Sequence, residues 1–151
     1  MKIREAKPSD WPNIYRLMQE NMQAMQTELG LEWDKEAIQE HYRSKLSLIG
    51  EVNHKICGFI SYEVSMNKQM IHTLQIPKLY QNKLYGYRLL SAALINGTDT
   101  CSQDSVVACC VFENNIAQSQ YFALGFKEVA RSNGILSLEI PRSRLLERMK
   151  R

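Results

Sequence analysis

The apolar positions near the start of the chain recur at three and four residues. Ile14, Leu17, Met18, Met22 and Met25 share one helical face. Pro8-Ser9-Asp10 stands before them as a turn, so Ser9 or Asp10 is expected to cap a helix that runs to about Met25. A second, shorter helix is predicted from Asp34 to about Lys45, with Ala37, Ile38 and Tyr42 inward. Residues 2–7 read as a strand, as do 46–52, 56–66 and 70–76, where the pattern suits strands separated by turns. Asn53-His54 and Asn67-Lys68 are the predicted hairpin turns. A helix over 85–96, a strand over 106–112, a short helix, and strands over 126–130 and 135–140 complete the pattern. The order β-α-α-β-β-β-α-β-α-β-β passes from an antiparallel half into a β-α-β crossover, which implies locally parallel strands. No internal repeat, linker or low-complexity segment interrupts it.

Composition narrows the class without naming a function. A chain of 151 residues is expected to form one domain, spanning 1–151, and to bury about two-thirds of its unfolded surface. Hydrophobic residues at 44% and charged residues at 23% place it among globular proteins. The net charge of +3 is too small to argue for nucleic acid and is compatible with an anionic ligand. Much of that excess lies in the tail (Arg142, Arg144, Arg148, Lys150, Arg151), which reads as a solvated, frayed terminus. No apolar run has membrane-spanning length and Met1-Lys2-Ile3-Arg4 opens no signal peptide, so no membrane partner and a cytoplasmic location are expected. Cys57, Cys101, Cys109 and Cys110 lack C-x-x-C spacing, so no metal site is expected. Cys109 and Cys110 read as two small buried hydrophobes on opposite faces of a strand.

The candidate chemistry begins at residues 111–126, VFENNIAQSQYFALGF. Asn114 can cap a helix, Ala117 and Tyr121 then stand one turn apart, and Gly125 fits the left-handed position that ends it before Phe126. A tyrosine hydroxyl is thus carried on a short helix between two strands. This stretch resembles the second half of the Gcn5-related N-acetyltransferase (GNAT) family, where such a tyrosine faces the thiol of coenzyme A. The element order is similar to that of the family over nearly the whole chain. The resemblance implies an α/β fold with a mixed central sheet of about seven strands flanked by about four helices.

A second carrier is the segment LQIPKLYQNKLYGYRLLSAAL. The family places R/Q-x-x-G-x-G/A between its fourth strand and the next helix. Gln81 fills the first position and Gly86 the last, while Leu84 stands where a middle glycine is usual and Asn82 where another is common. The motif presents backbone amides at a helix N-terminus, where the dipole favours an anion. The resemblance therefore implies that acetyl-CoA rests its pyrophosphate on Gln81, Asn82, Lys83, Leu84, Tyr85 and Gly86, with Lys83 and Arg88 adding charge. Leu84 keeps its amide, but costs about 1–2 kcal/mol if the site needs positive φ. Leu74, Gln75 and Ile76 are expected to offer backbone groups to the pantetheine arm as if it were an added strand, and Asn114 joins the cofactor set. The cofactor is expected between the strands ending near Ile76 and Phe112, where splayed strands leave room for the acyl group.

The implied reaction is acetyl transfer to a primary amine, which must lose a proton before it attacks. Tyr121 would serve the leaving thiolate. For the base, the glutamate that some members carry on the fourth strand is replaced by Met70. Arylalkylamine acetyltransferases have histidines on this strand, and one matches His72, a residue type that titrates near working pH. His72 reads equally as a half-buried structural histidine. The fifth-strand glutamate of ribosomal-protein alanine acetyltransferases matches Cys109, which cannot replace it at neutral pH without activation. Glu113 and Glu63 remain as further candidates, while His41 and His54 fall at expected surface positions. The resemblance places the acceptor beside the first two helices, where Met22, Met25, Leu29, Leu31 and Trp33 stand among Glu28, Glu32 and Asp34. That set suits an amine with an apolar body, and serves equally as core and caps. The acceptor, a small molecule or a peptide, and the choice between monomer and homodimer stay open. Beside the enzyme stand two other readings: a GNAT-shaped regulatory or acyl-CoA-binding module with little or no catalysis, and transfer of a longer acyl group.

Overall fold

The computed structural model describes residues 1–150. The chain runs β1 (Lys2–Glu5), α1 (Trp11–Glu28), α2 (Lys35–Arg43), β2 (Leu46–Val52), β3 (Lys55–Val64), β4 (Lys68–Gln75), α3 (Tyr85–Asn96), β5 (Val106–Phe112), α4 (Gln118–Leu124), β6 (Lys127–Ser132), β7 (Ile135–Pro141) and α5 (Arg142–Met149). The strands form one seven-stranded mixed sheet in the order β1-β2-β3-β4-β5-β7-β6. This is the α/β fold and element order expected from the sequence, with one helix more. Contacts gather into two units, Met1–Tyr62 with Thr73–Ala93, and Glu63–His72 with Leu94–Arg151. No described helix is long and apolar enough to cross a membrane.

In the first unit, Asn53 and His54 both adopt left-handed backbone, φ 52° and 64°. That pair makes the tight turn whose twist suits a hairpin, and β2 pairs antiparallel with β3. Register sets Ile49 opposite Phe59, and both enter a core with Ile14, Leu17 and Met18 of α1 and Tyr42 of α2. Each such buried side chain contributes roughly 1.5–3 kcal/mol by leaving water. The Trp11 ring meets Phe59 edge-on, 6.2 Å between centroids. Asp34 caps α2 as expected, its Oδ1 accepting the Ala37 N–H at 3.0 Å. Gly58 admits α3 closely: a Cβ there would stand 2.5 Å from Leu89 Cδ1 and 2.7 Å from Ile76 Cδ1. Asp10 does not cap α1 with its side chain. It accepts instead the Lys7 N–H (2.7 Å) and two bonds from Arg4 (2.8 Å each), while Arg4 also pairs with Glu51. Ala37, expected inward, is exposed.

In the second unit, β4 runs parallel to β5 from Lys68↔Val106 to Ile71↔Cys109, as the crossover implied. β5 pairs antiparallel with β7, and β7 with β6. Leu136, Leu138 and Ile140 alternate inward on β7. The tail is not a frayed terminus: residues 142–149 form α5, with Leu145 fully buried and Arg142 3% exposed. Arg142 donates to Gln69 Oε1, to the Leu94 carbonyl and to Thr98 Oγ1. Arg151, part of that tail expectation, lies outside the described residues. Lys68, expected in a turn, already belongs to β4.

Candidate functional site

The first unit carries the loop before α3. Asn82 and Leu84 both have φ 64°. Asparagine tolerates that region, whereas leucine bears a steric cost of roughly 1–2 kcal/mol. The chain thus adopts the glycine-like turn at the position where the motif usually has glycine. Arg88 N–H donates to the Leu84 carbonyl at 3.0 Å, the first intrahelical bond of α3. Helix geometry then leaves the amides of Tyr85 and Gly86 without intrahelical acceptors. A Cβ at Gly86 would meet only side-chain carbons of Ile76 and Leu74, at 3.6 Å and beyond. Gln81, Asn82, Lys83, Leu84 and Arg88 are exposed.

The end of β4 in the same unit is more occupied than its register suggested. The Ile76 carbonyl accepts from Asn21 Nδ2 (3.1 Å) and from Gln81 Nε2 (2.9 Å). Asn21 also donates to Gln75 Oε1 at 3.1 Å, and Gln75 Nε2 to Thr73 Oγ1 at 2.8 Å. Asn21 was not identified in the sequence. The available signal was an asparagine in the middle of an otherwise regular helix, a poor position for it without a partner.

The second unit carries the tyrosine. Its helix begins later than expected: α4 starts at Gln118, its N-cap is Ala117, and the capping side chain is not Asn114. No side chain caps the helix; Asn115 Oδ1 accepts the Ala117 N–H at 2.9 Å in a turn just before it. The spacing that mattered is kept, because Tyr121 N–H donates to the Ala117 carbonyl at 3.3 Å. Gly125 (φ 104°) ends the helix in the left-handed region, and Phe126 N–H reaches back to the Tyr121 carbonyl at 3.1 Å. The Tyr121 ring meets Phe126 edge-on at 5.4 Å. Burial raises the phenol above its ordinary pKa, and the Cys109 thiol group adds to the effect. Tyr121 therefore holds its proton at neutral pH.

His72 and Glu63 are brought together in this unit, with His72 Nε2 and Glu63 Oε1 at 2.6 Å. The ring is largely shielded, its side chain 14% exposed, while Glu63 is 53% exposed. Glu113 lies elsewhere in the unit, exposed, 4.0 Å from Arg131. Burial pushes the Cys109 thiol up to about 12. It is no substitute for a carboxylate base, as the sequence implied. Cys110, expected buried, is exposed, with its Sγ 3.8 Å from Ser137 Oγ. His41 and His54 are exposed as expected.

Of the acceptor set, Met22 and Trp33 pack against the α1 core, and Trp33 Nε1 donates to the Tyr15 hydroxyl at 2.7 Å. They act as core, the second of the two readings. A concavity of about 380 Å³ does exist in the first unit, lined by Glu32, Asp34, Ile38, His41 and Tyr42 among others.

No family model matches the chain, and no curated protein does. Solved structures do. The chain superposes on the PaiA N-acetyltransferase of Thermoplasma acidophilum, solved with coenzyme A, with a TM-score of 0.73 and 18% identity, over 93% of this chain and 98% of that one. The ribosomal-protein-S18-alanine N-acetyltransferase of Escherichia coli gives 0.72 and 18%, over 94% of both chains. An aminoglycoside 6′-N-acetyltransferase complexed with coenzyme A gives 0.72 and 11%, over 94% and 97%. The chain has the GNAT fold, shared along its length with N-acetyltransferases of low sequence identity.

Proposed function

We propose that the protein is an acetyl-CoA-dependent N-acetyltransferase acting on a primary amine. The observation that carries this reading is the loop before α3. Two left-handed residues turn the chain so that amides without intrahelical acceptors open the helix, and Gly86 puts no side chain between that first turn and Ile76 and Leu74. Those residues fit a pyrophosphate: amides of Tyr85 and Gly86 on a helix dipole, with exposed Lys83 and Arg88 beside them. Asn82 and Leu84 shape the turn, and Gln81 ties it to Ile76. The Ile76 carbonyl is already taken, so its N–H and the backbone groups of Leu74 and Gln75 are the partners proposed for the pantetheine arm. Asn114 belongs to the same proposed cofactor set.

When bound, acetyl-CoA supplies an activated acyl group with a thiolate leaving group. Tyr121, a phenol that carries its proton at neutral pH, is assigned to deliver a proton to the departing sulfur. His72 is assigned as the base, directly or through water. Glu63 holds the ring in place through Nε2. The acceptor is a primary amine of a small molecule or a peptide. A second reading, a GNAT-shaped regulatory or acyl-CoA-binding module with weak or no catalysis, rests on Leu84, which is 73% exposed where the motif has glycine and would crowd the phosphate.

The test combines thiol release from acetyl-CoA over a panel of amines with calorimetric CoA binding. Gly86→Glu adds negative charge where the phosphate is proposed, at a position with room for a Cβ. It is expected to keep the fold and lose CoA affinity. Tyr121→Phe keeps the ring contact with Phe126. It should bind CoA normally while turnover falls by roughly 10²–10⁴. Unchanged affinity in folded Gly86→Glu sinks the phosphate assignment. CoA binding with no thiol release on any amine favours the module.

A further inference from the structure

Two rows of side chains in the first unit face a common groove. From α1 come Trp11, Tyr15 and Arg16, and from α2 come Lys35, Gln39 and Arg43, spaced as successive helical turns. The groove encloses about 490 Å³, within the range of ligand sites. Its floor is aromatic and held from behind. Tyr15 is 7% exposed, with its hydroxyl bonded to Trp33 Nε1, and Trp11 packs edge-on against Phe59. Lys35 Nζ stands 5.1 Å from the centre of the Tyr15 ring.

The rim is cationic and uncompensated. Arg16, Lys35 and Arg43 are exposed, and among the described residues none has a carboxylate within 4.0 Å. Solvated surface cations are ordinary when scattered. Here three border one aromatic groove, although the same helices carry Glu20, Glu36 and Glu40 that could have neutralised them. Such a field attracts negative charge. Its layout also tells which kind. Lys35 and Arg43 are eight residues apart on a helix, roughly 12 Å along the axis. Extended chain covers that in three or four residues. A compact phosphate or carboxylate would meet only one end.

We propose that this groove binds an extended acidic peptide segment with two carboxylates four residues apart, so that both fall on one face of the chain with the side chain midway between them resting on Trp11 and Tyr15. The proposal does not depend on acetyl transfer. It is tested by calorimetry at low ionic strength with a blocked heptapeptide, acetyl-Gly-Glu-Ala-Leu-Ala-Glu-Gly-amide, and its twin with both Glu replaced by Gln. The acidic peptide is expected to bind roughly two- to thirtyfold more tightly, as two weak exposed ion pairs imply. The advantage should shrink as salt is added. Lys35→Glu with Arg43→Glu should abolish it, while Lys127→Glu with Arg131→Glu on β6 leaves it intact. Should the first pair misfold, Lys35→Gln with Arg43→Gln replaces it. The proposal is overturned by equal binding of the two peptides or by no binding of either. Retained affinity in the folded Lys35/Arg43 variant also overturns it, as does displacement by succinate at concentrations similar to the peptide's.

Discussion

At the scale of single residues, backbone conformation separates what the sequence displayed from what it hid. The Gly125 stop was legible because a left-handed helix end admits few other residues. Leu84 was legible only as a departure from a motif; that leucine accepts the left-handed turn is a property of the folded loop. Its side chain is 73% exposed and so returns little burial energy. Leu84→Gly should relieve roughly 1–2 kcal/mol of steric cost and lose about 0.5–1 kcal/mol to the greater freedom of unfolded glycine. The expected net is a stabilisation of up to about 1.5 kcal/mol, read as a higher urea midpoint at unchanged slope. A lower midpoint would mean that the leucine side chain makes contacts that matter. The cysteines give a second residue-level test. Cys109 is 3% exposed with its thiol pushed up to about 12, whereas the adjacent Cys110 is exposed. A disulfide-exchange reagent at pH 8 should label Cys110 in the native protein and reach Cys109 only on unfolding. Equal native labelling of the two would contradict the strand orientation.

At the scale of elements, legibility followed hydrophobic period. The bounds expected for β2, α3 and β5 agree with those observed, because each has a continuous apolar pattern ended by a clear break. α5 was missed because half of its eight residues are charged and one of its two buried residues is itself an arginine. No hydrophobic pattern reports a helix that docks through a buried guanidinium. That guanidinium has only neutral acceptors: Gln69 Oε1, the Leu94 carbonyl and Thr98 Oγ1. Arg142→Ala removes one donor group from several buried acceptors at once. The expected loss is on the order of 2–3 kcal/mol, from unsatisfied polar atoms. Arg144→Ala, at an exposed position of the same helix, should change stability by less than about 0.5 kcal/mol. Denaturant titration of both variants decides. Equal small effects would return the tail to the frayed terminus that its charge first suggested. The candidate site follows the same division. The loop and the α4 spacing could be read from the chain, whereas the Glu63–His72 contact and the Asn21 bonds join residues 9 and 54 or more positions apart. Such pairings exist only once the strands and helices are in register.

For the molecule as a whole, the order of strands and helices was legible, because each element has its own period and its own breaks. The ties that fasten β1 were not. Arg4 reaches both Asp10, just before α1, and Glu51 on β2. It thereby joins a short edge strand to a helix start and to its neighbouring strand. The hydrogen bonds from Arg4 hold the Asp10 carboxyl below its ordinary pKa, and the Lys7 N–H assists, against a smaller opposing effect of burial. A carboxyl with a depressed folded-state pKa binds its proton more weakly when folded than when unfolded. Its contribution to stability is therefore complete above the unfolded pKa of about 4 and is lost as pH falls through the folded value. Asp10→Asn keeps an acceptor for Lys7 but removes the charge. The variant is expected to be less stable than the parent protein at pH 7, and the difference should narrow below about pH 4, where the parent's own carboxyl becomes neutral. Urea unfolding of both proteins across that range measures the gap at each pH. A gap that stayed constant through the acid range would assign Asp10 a role in shape alone, with no contribution from its charge beside Arg4.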